Sequence, residues 1–341
     1  MKKITLAFIF NIRHSYPNPN DEKSQLEADF DDPATIKAII KHLKECGYIV
    51  FPVEANEHAY QKLYKKKAQI DLAFNFAEGI YGKDREAQIP AILEMLQIPY
   101  VGSTPLTQAL VLDKAKTKEI LIANNIATLP FQLFKTGKEI RNPQLTFPLI
   151  VKPDSEGSGA GITNKSVVYN DKQLKKQVRR ILTTFHEPAL IEPFLTGQEF
   201  SIGMLGNPPK ILPFVSPNHT MLPKGYAPLD SLEVKWIFEE KSLNENYLVC
   251  PAKTSKALEK KIKKMCLELW DALNIRDWCR IDLRCDEKGN PYILEINSPA
   301  GLLPPEISTS SYLPLAARVA GIHYNQLLSL IVSSALKRYK L

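Results

Sequence analysis

Two apolar runs near the C-terminus, Cys279–Cys285 and Pro291–Ile296, are separated only by the turn Asp286-Glu287-Lys288-Gly289-Asn290. So short a connection joins antiparallel neighbours, because a parallel pair needs a long crossover. Side chains alternate faces along a strand, so Arg280 and Asp282 share one face, as do Glu295 and Asn297. The hairpin therefore gathers Asp282, Glu295 and Asn297, with Arg280 beside them. Three hard oxygen donors suit Mg²⁺ held between protein and phosphates, and the guanidinium can meet an anion. The hairpin alone is equally compatible with a charged stripe facing solvent. The intervening Ile281, Leu283, Ile293, Leu294 and Ile296 imply that the opposite face is buried, so the polar face lines something.

The 341 residues exceed one compact core and suit two or three domains. Ile4–Phe10 is a continuous apolar run, as in a strand covered on both faces. It is too short for a signal peptide and lacks a small-residue cleavage site, so it is read as a buried strand of a cytoplasmic protein. Residues 11–33 are polar and rich in Asn, Asp and Pro, a long loop of the functional or disordered kind. Pro33 opens a helix through Cys46, with Ile36, Ile39, Ile40 and Leu43 at helical spacing and Gly47 closing it. Strands at Tyr48–Val53 and Gln69–Phe76, a helix at Ala87–Leu96 and a short strand and turn at 98–102 complete a parallel α/β layer. Farther on, helices are expected at Leu112–Asn124, Lys172–Phe185, Ser255–Leu273 and Tyr324–Arg338. Strands are expected at Phe131–Phe134, Phe147–Lys152, Leu190–Phe194, Gln198–Leu205 and Ile211–Val215, with a proline-rich loop over 216–230.

A second candidate for chemistry is Ile150-Val-Lys152-Pro-Asp-Ser155-Glu-Gly157-Ser158-Gly159-Ala-Gly161. A strand delivers a lysine, and a glycine-rich turn follows whose N–H groups can approach phosphate oxygens. The Walker and dinucleotide-binding glycine patterns are both absent. A third is Leu190-Ile-Glu192-Pro-Phe194-Leu195 with Gln198-Glu199, an apolar strand whose end could line a purine pocket or be a core strand with a solvated acid. The net charge of +7 is compatible with an anionic ligand. The Lys172–Arg180 charge run lacks aromatic interleaving and reads as a solvated helix face, so no nucleic-acid partner is expected. No stretch approaches a membrane span. The five cysteines form no C-x-x-C pair and are read as reduced thiols.

Together these segments resemble the ATP-grasp superfamily, and most closely the D-alanine–D-alanine ligase family. The resemblance runs in the same order along nearly the whole chain: Pro99-Tyr-Val-Gly-Ser103, Leu112-Asp-Lys114-Ala-Lys-Thr-Lys118, Val151-Lys152-Pro with its glycine-rich loop, Leu190-Ile-Glu192, Gln198-Glu199-Phe, Cys250-Pro-Ala, Arg280-Ile-Asp282, Leu294-Glu295-Ile-Asn297-Ser-Pro and Leu315-Ala-Ala-Arg-Val-Ala-Gly321. It implies an α/β (α+β) ATP-grasp fold: an N-terminal parallel-sheet α/β domain over 1–105, a small central domain over 106–205 and a C-terminal antiparallel-sheet domain over 206–341. It implies that Lys114 and Lys152 contact ATP phosphates under a loop containing Ser155, Gly157 and Gly159. Glu192, Phe194 and Leu195 would hold adenine and Glu199 ribose. Asp282, Glu295 and Asn297 would bind two Mg²⁺ ions, for which Mn²⁺ may substitute. Lys235 would reach the γ-phosphate, Arg280 and the Gly301 N–H would form the oxyanion site, and Ser158 keeps the family's serine. The implied reaction joins a carboxylate, such as an amino acid's, to an amine through an acyl phosphate, with ADP released and small molecules as the partners. A homodimer is also implied.

Departures from the family pattern concern the amino-acid site. The N-terminal Gly-Gly-x-Ser-x-Glu-Arg signature is missing; an acidic loop with Asp21, Glu22, Glu27, Asp29, Asp31 and Asp32 stands there. Trp236 replaces a tyrosine, and Glu306 falls where a carboxylate-binding serine is expected. A glutamate there would repel a free carboxylate, which leads to the expectation of a different, cationic second substrate. The alternatives are a D-alanine–D-alanine ligase proper, an ATP-grasp carboxylate kinase, or a non-catalytic ATP-binding module.

Overall fold

The computed structural model describes residues 3–18, 21–238 and 247–341. β1 (Thr5–Phe10) lies inside a four-stranded parallel sheet of order β2-β1-β3-β4, with β2 at Ile49–Glu54, β3 at Leu72–Asn75 and β4 at Tyr100–Val101. Its side chains divide between two cores, as period-2 geometry requires. Leu6, Phe8 and Phe10 pack with Ile36, Ile39 and Leu43 of helix Pro33–Glu45 and with Leu327 and Ile331 of the C-terminal helix Tyr324–Tyr339. Ala7 and Ile9 pack with Leu63 of helix Ala59–Lys66 and Leu93 of helix Gln88–Leu96. Helix 33–45 begins as its sequence dictates: Pro33 stands in the first turn and the Asp32 carboxylate accepts the Ala34 N–H at 2.8 Å. Gly47, at φ +92°, turns the chain after it.

The central sheet is antiparallel, of order β5-β8-β6-β7, with β5 at Gln132–Phe134, β6 at Leu149–Pro153, β7 at Val167–Val168 and β8 at Ala189–Pro193. The third sheet is antiparallel too, of order β10-β9-β13-β14, with β9 at Glu199–Leu205, β10 at Lys210–Ile211, β13 at Trp278–Cys285 and β14 at Pro291–Asn297. Two further strands, β11 (Ser216–Pro217) and β12 (Leu248–Val249), pair with each other. Helix Lys256–Ala272 covers the third sheet's apolar face, where Ile262, Cys266 and Leu269 meet Phe200, Ile202, Ile281 and Leu283. Because β9 pairs with β13, we place the division between the central and third units in the 196–198 turn rather than after 205.

The β13–β14 hairpin forms with Arg280 opposite Asn297 and Asp282 opposite Glu295. A register shift then pairs Leu283 with Ile293, leaving Leu294 as the extra residue. Strict alternation would have put Ile293 on the polar face with Glu295. The bulge instead buries Ile293 with Ile296 in the core. Leu294 joins the cleft lining.

Other departures have local causes. The helix expected at Leu112–Asn124 is present as Lys114–Ala123, starting later because Asp113 leaves helical geometry and caps it by accepting the Lys116 N–H; the helix Pro105–Leu112 before it was not expected. Helix Ala59–Lys66 was not expected; it buries only Ala59 and Leu63, too few apolar positions to show a period. Helix Tyr312–Val319 was likewise missed. Of the strand expected at Ile211–Val215, only Ile211 lies in a strand, and Val215 makes an isolated bridge to Ser201. The polar 11–33 segment is folded around Arg13, whose guanidinium donates to the carbonyls of Glu27, Ala28 and Phe30. No single helix among the described residues is long and apolar enough to cross a membrane.

Asp277, fully buried at φ +66°, ties the units together. Its carboxylate accepts from the Gly102 N–H at 2.7 Å, Asn207 Nδ2 at 2.6 Å and Arg338 Nη2 at 2.6 Å. Asp277→Ala should destabilise the fold by about 3–5 kcal/mol, since it strands a buried guanidinium partner and strains a left-handed residue. Urea unfolding of the two proteins measures it.

Candidate active site

The polar face of the β13–β14 hairpin floors a cleft roofed by the central sheet. Lys152 and Glu192 enter from β6 and β8, Gly159 from the glycine-rich turn, Phe194 and Leu195 from the chain between β8 and β9, and Glu199 from the start of β9. Asp230 and Lys235 close one side, and Gly301, Ser308, Ser310 and Tyr312 another. A second cleft adjoins it and shares Lys235, Arg280, Glu295 and Gly301. Lys114, Gly157, Ser158 and Asn297 line this second space, together with Arg13, Asp29, Asp31, Glu78 and Glu86 of the N-terminal unit. Most of the candidate residues from the sequence thus surround two joined clefts. Ser155 lines neither: it is buried, and its N–H donates to Glu187 at 2.6 Å.

Charge is balanced by close pairs. Arg280 Nε and Nη2 clasp both Asp282 oxygens at 2.8–3.1 Å, while Ser201 Oγ and Asn297 Nδ2 also donate to that carboxylate. Burial opposes the Arg280 charge, but Asp282 outweighs it and keeps the guanidinium protonated. Tyr312 lies beneath Arg280, 5.3 Å from its carbon to the ring centre. Lys114, the first residue of its helix and 4% exposed, meets Glu295 at 3.0 Å. Burial would raise the Glu295 pKa, yet Lys114 and Lys152 pull it down to about 2. Glu192 is buried between Lys118 and Lys152, each at 2.6 Å, so its carboxylate is committed to two ammonium groups. Glu199 pairs with Arg284 at 3.2 Å, and Arg284 stands over the Phe194 ring. Asp230 accepts from His219, Tyr247 and Tyr312; burial would raise its pKa, but His219, Lys235 and Tyr247 outweigh that and hold it ionised.

The N-terminal wall of the second cleft is acidic. Burial raises Asp31 to about 7 and Glu86 to about 8, and it pushes Glu78 well above the carboxylate range. Each is further raised by its acidic neighbours, Asp29 among them, against the opposing charges of Arg13 and Arg85.

Asp282, Glu295 and Asn297 stand on facing positions of adjacent strands beside Lys114, Lys152 and Lys235, and they offer two carboxylates and an amide oxygen. That donor set fits a hard divalent cation that keeps other oxygens from water or phosphate.

Glu306 requires a correction. It lines neither cleft: its carboxylate faces His42 Nε2 at 2.9 and 3.1 Å on helix 33–45. Counting from Asn297 placed it at the substrate, but the chain over 302–307 runs back to the N-terminal unit. Hydroxyls reach the first cleft from Ser308, Ser310 and Ser311 instead. Sequence reasoning also missed Lys118, Asp230, Tyr312 and the segment Glu78-Gly79-Ile-Tyr-Gly82-Lys-Asp-Arg85-Glu86. A charged run punctuated by two glycines right after a strand was the available signal there.

Known proteins resemble this chain in sequence and in fold. The family described as D-ala D-ala ligase C-terminus matches residues 120–333. A D-alanine–D-alanine ligase of Haemophilus influenzae is 31% identical over 307 residues, covering 88% of this chain and 94% of its own. An uncharacterized protein of Sinorhizobium fredii is 33% identical over 309 residues, covering 89% and 87%. A crystal structure of D-alanine–D-alanine ligase from Bacillus anthracis superposes with a TM-score of 0.72 at 26% identity, over 99% of both chains. The same enzyme complexed with ATP gives 0.73 at 24% identity, again over 99% of each. A family match across more than half of the sequence, carried on the same three-sheet architecture, makes this chain a member of the D-alanine–D-alanine ligase family with the ATP-grasp fold.

Proposed function

We propose that the protein is an ATP-dependent, ADP-forming ligase that joins an amino-acid carboxylate to an amine. One observation carries this reading: Lys235, Arg280, Glu295 and Gly301 stand where the first cleft, which holds Lys152, opens into a second, ionic one. Nucleotide in the first cleft would present its terminal phosphate to the second. Lys114, Lys152 and Lys235 supply positive charge to phosphate oxygens, and Arg280 with the Gly301 N–H faces the carbon under attack. Magnesium, held by Asp282, Glu295 and Asn297, would neutralise phosphate charge. The amine's attack expels phosphate, so ATP, carboxylate and amine yield ADP, phosphate and amide.

The finer reading concerns the substrate. Glu306, bound to His42, does not face the substrate, but the wall formed by Asp29, Asp31, Glu78 and Glu86 supports an ammonium-bearing substrate in the second cleft. Asp29 is paired with Arg85, which leaves Asp31, Glu78 and Glu86; these ionise as pH rises or against a bound cation, and more than one such acid favours a substrate with additional positive charge, such as a basic amino acid or a diamine. A carboxylate kinase or a non-catalytic ATP-binding protein would share the nucleotide cleft without needing this wall.

ADP release across a matrix of amino acids and amines, with mass spectrometry of products, should show turnover only when an amine acceptor is present. Efficient D-alanyl dipeptide formation from D-alanine alone would remove the cationic reading, and amine-independent ADP release would favour the kinase. Arg280→Ala should lower turnover by roughly 10²–10³ while leaving ATP binding intact. Near-normal turnover would refute the oxyanion role.

The acidic wall also sets a pH dependence. Below about 7 Asp31 carries its proton, and Glu86 does so to about 8. Both ionise as pH rises through those values, while a substrate ammonium stays charged. KM for the ammonium substrate should therefore fall between pH 6 and 8.5, and Asp31→Asn should flatten that fall. An unchanged profile in the variant would exclude Asp31 from substrate binding.

A further inference from the structure

The glycine-rich turn is fastened to the N-terminal unit by side chains, and Arg85 makes the most contacts. Arg85 Nη1 donates to the Ser155 carbonyl at 2.9 Å. Its Nη2 reaches Asp29 Oδ2 at 3.0 Å and Glu156 Oε2 at 3.1 Å. All three charged side chains are 11–12% exposed. Asp29 presses on the turn, where a Cβ added to Gly157 would stand 2.5 Å from its Oδ1. Gln25 of the same N-terminal loop accepts the Gly161 N–H at 3.0 Å, and Lys114 Nζ donates to the Glu156 carbonyl. The turn's own sheet contributes little to this segment, since β6 ends at Pro153. Arg85 is itself fixed by a tight bend, in which a Cβ on Gly79 would lie 2.1 Å from the Arg85 carbonyl oxygen.

We infer that Arg85 is a positioning residue that holds the Ser155–Gly161 turn over the nucleotide by bridging the turn's Ser155 carbonyl and Glu156 to Asp29 of the N-terminal unit. It touches neither cleft itself. A planar guanidinium can serve a carbonyl and two carboxylates at once from a fixed fork; an ammonium can neutralise the acids but cannot reproduce that geometry. Without the anchor, Asp29 and Glu156 repel across the turn, and the loop N–H groups lose their fixed direction. The N-terminal unit, whose Asp29 also lines the second cleft, thereby controls how firmly the phosphate-facing loop is set. This inference rests on the reading of the first cleft as an ATP site.

The test compares the full-length protein with Arg85→Met and Arg85→Lys. Three readouts are needed: affinity for a non-hydrolysable ATP analogue with Mg²⁺, hydrogen exchange across 155–161, and thermal midpoint. Arg85→Met should weaken analogue binding roughly tenfold or more, as loss of charge-assisted hydrogen bonds implies, and should speed exchange in the turn. Arg85→Lys should restore part of both. A lowered midpoint with unchanged turn exchange and unchanged analogue affinity would overturn the inference, leaving Arg85 a general stabiliser. Should Arg85→Met not fold, wild-type affinity and exchange in Arg85→Lys would overturn it equally. Failure of the wild-type protein to bind the analogue would strike the ATP reading instead, while the exchange contrast would still judge the anchor.

Discussion

The register of β13 against β14 governs the rest of the molecule. With Asp282 opposite Glu295 and Arg280 opposite Asn297, four polar side chains project from adjacent strands into one space. The cost of crowding carboxylates there is offset by cations from three directions: Arg280 within the strand, Lys114 from a helix start, and Lys152 from the central sheet. A slip of one residue would turn the acids into the core and the isoleucines toward solvent. The bulge at Leu294 keeps both demands satisfied, because it lets Ile293 and Ile296 stay buried on either side of an outward Glu295.

The central sheet depends on a comparable arrangement. Glu192 is buried with two lysines, and this triad fixes Lys152 and Lys118 beneath the cleft. Removing one member would leave an uncompensated buried charge, which is far more costly than the pair is stabilising. The lysine that meets the nucleotide cleft is therefore held by the same carboxylate that the family resemblance associates with adenine. Asp113, by separating the helices Pro105–Leu112 and Lys114–Ala123, serves the same end: it makes Lys114 the first residue of a helix and aims it at Glu295.

How legible the site was depends on whether its residues act locally. The hairpin acids, Lys152 and the glycine-rich turn were readable because strand alternation and turn chemistry are local rules. Half of the acidic wall, Asp29 and Asp31, was visible as an acidic loop without a direction in space, and the segment from Glu78 to Glu86 carried no periodic signal at all. Glu306 shows the limit from the other side. A position counted along a loop has no fixed direction in space, and here the loop returns to His42 on the first helix.

The sequence by itself determined the N-terminal parallel layer, the C-terminal hairpin and the glycine turn, because hydrophobic periodicity and short connections leave few alternatives; the arrangement in three units was implied by the family resemblance. Only tertiary structure decided which side chains from separate units share one cavity. Asp29, Asp31, Glu78 and Glu86 lie far in sequence from Arg280 and Glu295, yet they line one space. Their shifted protonation arises from burial and mutual repulsion, which depend on distances through space. No spacing along the chain encodes those distances.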